Sequence, residues 1–231
     1  MNQFVLQPAF ILHLRQYRDS SMLVDAFSQE QGRVSLIAQG VRSAKHKTGR
    51  LLQLFSPLLL SWQGRTELMK LTHIESGGVP TLLFGKALLS AFYLNEVLVR
   101  LLQRGDSLPG LYKTYEFTLQ SLSQSVNISS VLRFFEKNLL IELGYGLTLT
   151  HDLQGVLVDP EKKYLFTPGV GFKCLISGVV SQPCFSGASL LALHHACFKH
   201  QHELQEAKQL MRLALAPLLG EKPLKSRECF I

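Results

Sequence analysis

The sequence predicts an α+β protein: a small N-terminal β-barrel over residues 1–79, then a helical domain over residues 80–231 with an irregular insert at about 148–185. Three observations carry this. Short runs that alternate polar and apolar residues recur up to Ser76, the period of half-buried strands. Gly77-Gly78-Val79-Pro80 then interrupts the chain. Beyond it, apolar residues recur at helical spacing until Gly144, and again from Ser189.

The first strand falls in Phe4–Leu14, rich in apolar and β-favouring residues, and the second in Ser21–Ser28. Gln31-Gly32 turns the chain into a third, Arg33–Ala38, which Gly40 ends. Leu54–Trp62 gives a fourth run, Gly64-Arg65 a turn, and Glu67–Thr72 a fifth. About five strands in so short a stretch suit a closed barrel, because closure removes exposed edges. An OB-fold, an SH3-like barrel or an open meander satisfies the same pattern. In the second half, Thr81–Arg104 is apolar on most sides and reads as a helix buried in a bundle. Leu108–Leu122 and Ile128–Ile141 follow, the latter stopped by Gly144 and Gly146. Thr148–Pro183 mixes Gly, Pro and β-formers, and two helices, Ser189–His200 and His202–Leu215, precede a basic tail.

Hydrophobic residues make up 46% and charged residues 18%, the balance of a packed chain rather than a disordered one. The net charge of +7 favours a polyanionic partner. The N-terminus has no signal-peptide pattern, and Lys86, Asn95, Glu96 and Arg100 interrupt the most apolar stretch, so a cytoplasmic chain with no membrane span is expected. Cys174, Cys184, Cys197 and Cys229 are far apart and without a CxxC, as free thiols in a reducing compartment would be.

The densest charge is Arg42-Ser-Ala-Lys45-His46-Lys47-Thr-Gly-Arg50, between two strands and without an acid. Such a loop can track a phosphate backbone, releasing counterions as each phosphate is neutralised. Arg33, Arg65 and Lys70 are candidates to extend the patch. Phe27, Phe55 and Trp62 are candidates to stack bases. Asn95-Glu96 stands out in an apolar helix, and the natural partner of Glu96 is Arg100, four residues on. Arg133 and Lys137 fall on the polar side of their helix, spaced to receive an acidic peptide. His194, His195, Cys197, His200 and His202 turn progressively around a helix and offer no convergent metal site. No phosphate-binding, nucleophile-elbow, zinc-protease or dinucleotide signature occurs, so no enzyme and no cofactor is expected.

In order along the chain, Tyr17-Arg-Asp-Ser-Ser21, Phe27-Ser-Gln-Glu-Gln-Gly32-Arg33, Ala38-Gln-Gly40-Val-Arg42, Leu52-Gln-Leu-Phe55-Ser-Pro57-Leu58 and Glu67-Leu-Met-Lys70 resemble the bacterial RecO family. Tyr93-Leu-Asn95-Glu96, Phe135-Glu136, Leu143-Gly144-Tyr145 and Lys222-Pro-Leu-Lys225-Ser-Arg227-Glu228 continue the likeness over nearly the whole chain. The resemblance implies an OB-fold barrel, a helical domain and a recombination mediator near the nucleoid. Such a protein binds single- and double-stranded DNA, anneals complementary strands, and works with RecR and with the acidic tail of single-stranded DNA-binding protein. It assigns that tail to Arg133. Many members carry a four-cysteine zinc module after the Leu-Gly-Tyr element. Here Asp152, Gly155 and Ser177 stand where three of those cysteines would, leaving Cys174, so the insert is expected to lack zinc. Two other readings remain: an adaptor whose basic surface meets only acidic protein tails, and an RNA-binding barrel.

Overall fold

The computed structural model describes residues 2–41, 47–124, 127–175 and 183–228, apart from the side chains of Lys47, Thr48, Arg227 and Glu228. It falls into two compact units. One comprises Met1–Gln124 with Pro223–Ile231, and the other Ser125–Lys222. The expected division at residue 79 marks the change from strand to helix, whereas the compact units divide after the second helix.

The first unit opens with β1 (Asn2–Tyr17), β2 (Ser21–Ser28), β3 (Gly32–Ala38), β4 (Leu58–Gly64) and β5 (Leu68–Ser76). They close a barrel in the order β1-β2-β3-β5-β4, with β3 and β5 the only parallel pair among them. This order is that of an OB-fold, and it selects among the barrels the alternation allows. β1 is longer than expected because it serves two neighbours, β2 through its C-terminal half and β4 through its N-terminal half. Bulges between Phe4 and Gln7 and between Ile11 and His13 bend it from one to the other. Alternate residues fill the barrel: Ile11, Val24, Ala26, Val34, Leu36, Leu60, Trp62 and Leu71 form one apolar cluster.

α1 (Gly85–Leu101) and α2 (Pro109–Gln124) belong to the same unit and pack on the outside of the barrel. Phe10 and Phe27, paired across β1 and β2, meet the rings of Tyr112 and Tyr115 at 5.3–6.3 Å. The β1 bulge leaves carbonyls outside the ladder, and buried Asn95 satisfies them. Its Nδ2 donates to Leu12 O (2.9 Å) and more weakly to Ile11 O (3.4 Å), while Tyr115 Oη donates to its Oδ1. Gly32 is required where the α1–α2 connection crosses the β2–β3 turn. Its φ is +60°, and a Cβ there would lie 1.7 Å from Asp106 O.

The second unit contains α3 (Ile128–Glu142), a three-stranded sheet, α4 (Gly187–His195) and α5 (Gln201–Leu219). The sheet is β6 (Lys163–Thr167) between β7 (Gly171–Cys174) and β8 (Cys184–Ser186). Tyr164, Phe166, Phe172 and Phe185 bury its inner face, so the insert has an aromatic core of its own. α4 ends where Ala196 turns left-handed, five residues earlier than the spacing predicts, and Pro217 lies inside α5 rather than ending it. A short α6 (Lys225–Glu228) closes the described chain in the first unit.

Candidate nucleic-acid interface

Of the cations expected to meet phosphate, the β3–β4 connection, the β4–β5 turn and β5 each carry an exposed one. Lys47–Leu51 forms one 3₁₀ turn, on which Arg50 is exposed. Arg65 is exposed in the β4–β5 turn, and Lys70 on β5, two residues beyond Leu68. Among the described residues none of these three forms an ion pair. Arg42 and Lys45 lie outside the described residues, as does the side chain of Lys47.

Arg33 does not belong to this surface. Its Nη2 pairs with Asp25 at 3.1 Å, and its Nη1 donates to Val99 O (2.6 Å) and Leu102 O (3.4 Å). It therefore caps the carbonyls at the C-terminal end of α1, where a cation also meets the negative pole of the helix. The reading of Arg33 as a phosphate contact is corrected: the residue joins α1 to the barrel. The three stacking candidates are also internal. Trp62 faces the barrel core against Phe4, Phe55 packs edge-on to Phe92, and Phe27 lies under α2.

In the second unit Arg133 is turned inward and Lys137 is half-buried. Arg133 is 5% exposed, not on a polar face, and its Nη2 meets Glu136 Oε1 at 2.6 Å inside the fold. Lys137 Nζ donates to His194 O at 2.7 Å, and burial holds its pKa below the usual lysine range. Arg133 is not presented to an incoming carboxylate, which revises its assignment as a peptide anchor, whereas Lys137 keeps its one contact at the surface. Periodicity alone misplaces Arg133, because a cation on a helix is read as solvated unless its partner is visible. The signal that existed was Glu136, three residues on.

Glu96 has the Arg100 partner expected of it, at 3.1 Å, and a larger role besides. Its carboxylate accepts Lys225 N (2.9 Å), Ser226 N (2.8 Å) and Ser226 Oγ (2.7 Å), capping α6 and fastening the basic tail to α1. Within the tail, Pro223, Lys225 and Ser226 thus meet the surface of their own unit. Burial pushes the Glu96 carboxyl up, but the Ser226 and Lys225 hydrogen bonds and Arg100 outweigh it and hold the group below its ordinary value. A depressed carboxyl stabilises the fold above its unfolded pKa, here about 4.5, and that contribution is lost as pH falls through the folded value. Glu96→Gln is expected to cost about 2 kcal/mol at neutral pH and to flatten the acid limb of the stability profile. Hydrogen exchange at the Lys225 and Ser226 amides should rise in the variant; an unaltered acid limb and unaltered exchange would refute the latch.

Where the resemblance puts the first cysteine pair, the Asp152 carboxylate accepts Gln154 N and Val156 N, both at 2.9 Å, and holds the turn itself. Cys174 and Cys184 flank β6. Among the described residues no group of three or more His, Cys, Asp or Glu is placed to hold a metal, and no helix is long and apolar enough to cross a membrane.

Sequence reasoning passed over Arg15. It stands on β1 between His13 and Tyr17, all on one face by the two-residue period, and lone cations in a strand give no cluster signal.

Residues 1–77 match the family model described as recombination protein O N terminal, and residues 85–228 the one described as recombination protein O C terminal. The chain is 45% identical over 224 residues to the DNA repair protein RecO of Coxiella burnetii (strain RSA 493 / Nine Mile phase I), covering 96% of each. It is 43% identical over 224 residues to that of Nitrosococcus oceani, covering 96% of this chain and 91% of the relative. With that of Cellvibrio japonicus it shares 42% identity over 226 residues, 97% and 96% of the two chains.

Proposed function

Because the chain belongs to the RecO family of DNA repair proteins, we propose that it serves repair and recombination as a non-enzymatic mediator that binds single- and double-stranded DNA and anneals complementary strands. The observation that carries DNA contact is the set of exposed cations, Arg50, Arg65 and Lys70, on a barrel whose buried charges are already matched. No bond is made or broken in such a function. The cations screen phosphate repulsion between two strands, and each neutralised phosphate releases counterions. RecR is a partner by family resemblance alone. For the acidic tail of single-stranded DNA-binding protein, the unit Ser125–Lys222 offers an apolar groove of about 570 Å³, lined by Tyr145, Leu153, Val170 and Leu218. That groove follows directly on Leu143-Gly144-Tyr145. The cytoplasm, beside the nucleoid, is the compartment this role requires.

Strand annealing by the purified chain, on bare DNA and on DNA coated with single-stranded DNA-binding protein, tests the reading. Faster annealing than the spontaneous rate is expected on both, with the advantage on coated DNA lost when the coat lacks its acidic tail. DNA affinity should fall steeply with salt. Negligible DNA binding at every salt, with the acidic tail still bound, would leave an adaptor instead.

A further inference from the structure

Residues four apart on a helix form one ridge. On α1 and its N-cap the ridge Phe84, Leu88, Phe92, Glu96 and Arg100 changes character halfway. Its C-terminal half is charged and already occupied by the tail, through Glu96 and Arg100. Its N-terminal half is apolar and open. Phe84 is 77% and Phe92 42% exposed, and Leu88 is half-buried. The Phe92 ring is positioned by Phe55, which meets it edge-on at 5.2 Å.

The tail advances along this ridge from its charged end toward its apolar one. Arg100 Nη2 donates to Pro223 O, and Lys225 and Ser226 then reach Glu96, one turn nearer the start of the helix. Leu224, between them, is 3% exposed, so this stretch is packed as well as hydrogen-bonded. After α6 the sequence passes from Lys225-Ser226-Arg227-Glu228 to Cys229-Phe230-Ile231, from charged to wholly apolar. The next ridge positions beyond Glu96 are Phe92 and Leu88, ~6 and ~12 Å away at the helical rise. Two helical residues and three extended ones after Ser226 span about 13 Å. That length reaches Leu88 and falls short of Phe84, at ~18 Å.

We propose that Cys229-Phe230-Ile231 closes over Phe92 and Leu88, making the tail a strap with a charged anchor at Glu96 and an apolar anchor on the same ridge. Phe230 lies against the Phe92 ring and Ile231 against Leu88. The chain's own segment is the occupant because the Glu96 latch already delivers it. A group tethered so closely acts at an effective concentration in the millimolar range, which a free partner would have to match. The two anchors reinforce each other, since each holds the segment that the other must bind. α1 also carries Asn95, which satisfies the carbonyls at the β1 bulge, so the strap secures the helix that completes the barrel's unit. The inference is independent of the nucleic-acid reading.

Nuclear Overhauser contacts in the full chain, with Phe rings and Leu methyls selectively labelled, test the strap. Contacts from the Phe230 ring to Phe92 and to the Leu88 methyls are expected. Phe230→Ala should remove them and, with Glu96 untouched, speed hydrogen exchange at the Lys225 and Ser226 amides about fivefold, as loss of part of one buried aromatic contact would. Leu88→Gln should speed the same amides from the ridge side. Phe84→Ser, beyond the segment's reach, should leave contacts and exchange as they are. A Phe230 ring without contact to α1, with exchange unchanged in Phe230→Ala, overturns the strap. Contacts that arise only between differently labelled molecules and vanish on dilution overturn it as well, and give the ridge to a second copy of the chain.

Discussion

Glu136→Ala is expected to destabilise the unit Ser125–Lys222 by about 3–5 kcal/mol, since it leaves the Arg133 guanidinium buried without its counter-charge. The two side chains are 7% and 3% exposed, and the pair lies one helical turn apart on α3. Water cannot solvate the stranded cation without opening the core around Phe135 and Leu139. Replacing both partners with apolar residues of similar size, Arg133→Met with Glu136→Leu, should restore most of the loss, because the cost lies in the unmatched charge. Denaturant unfolding followed in that unit measures both effects. A single variant within about 1 kcal/mol of wild type, below the range for breaking a buried pair, would mean that Arg133 reaches solvent, and would return it to the candidates for peptide binding. Retention of acidic-tail binding by the double variant would settle that Arg133 serves the fold.

Reversing the charge of the barrel cations, Arg42, Lys45, Lys47, Arg50 and Arg65 to Glu, should abolish annealing and leave the fold intact. Each phosphate contact contributes about 0.7 to the salt slope on single strands and 0.9 on duplex. Loss of four or five contacts therefore removes a slope of about three to four, and at physiological salt an affinity of several orders of magnitude. Arg50 and Arg65 are exposed and hold no ion pair among the described residues, so their reversal strands no buried partner. Affinity by fluorescence anisotropy, annealing rate and thermal midpoint separate the outcomes. Unchanged annealing in a folded variant would sink the assignment. Arg33 is kept out of this set because its reversal would break the α1 end and confuse a folding defect with a binding one.

Much of the barrel is legible in the chain because its signals are local. Arg33–Ala38 alternates polar and apolar residues and lies within the strand Gly32–Ala38, and the turn before it is marked by Gly32, where a Cβ would meet Asp106 O. β1 reads shorter than it is because bulges break the alternation that periodicity detects. The helices after Pro80 are visible by spacing, but not their membership. That α1 and α2 complete the barrel's unit follows from Asn95, whose partners lie 83 and 84 residues away. The candidate site was legible in part. Exposed cations in turns were found by composition, whereas the burial of Arg133 against Glu136 shows only once its helix is packed.

The sequence by itself determined the element types, the barrel-then-helix order, the family and the surplus of positive charge, since each is a property of neighbouring residues or of the whole composition. Only the tertiary structure decided which charges remain free. Arg33 is satisfied by a carbonyl 66 residues away, and Glu96 by a serine 130 residues away. A charged side chain is a binding group or a structural one according to whether folding gives it a partner, and that partner's distance along the chain carries no local mark.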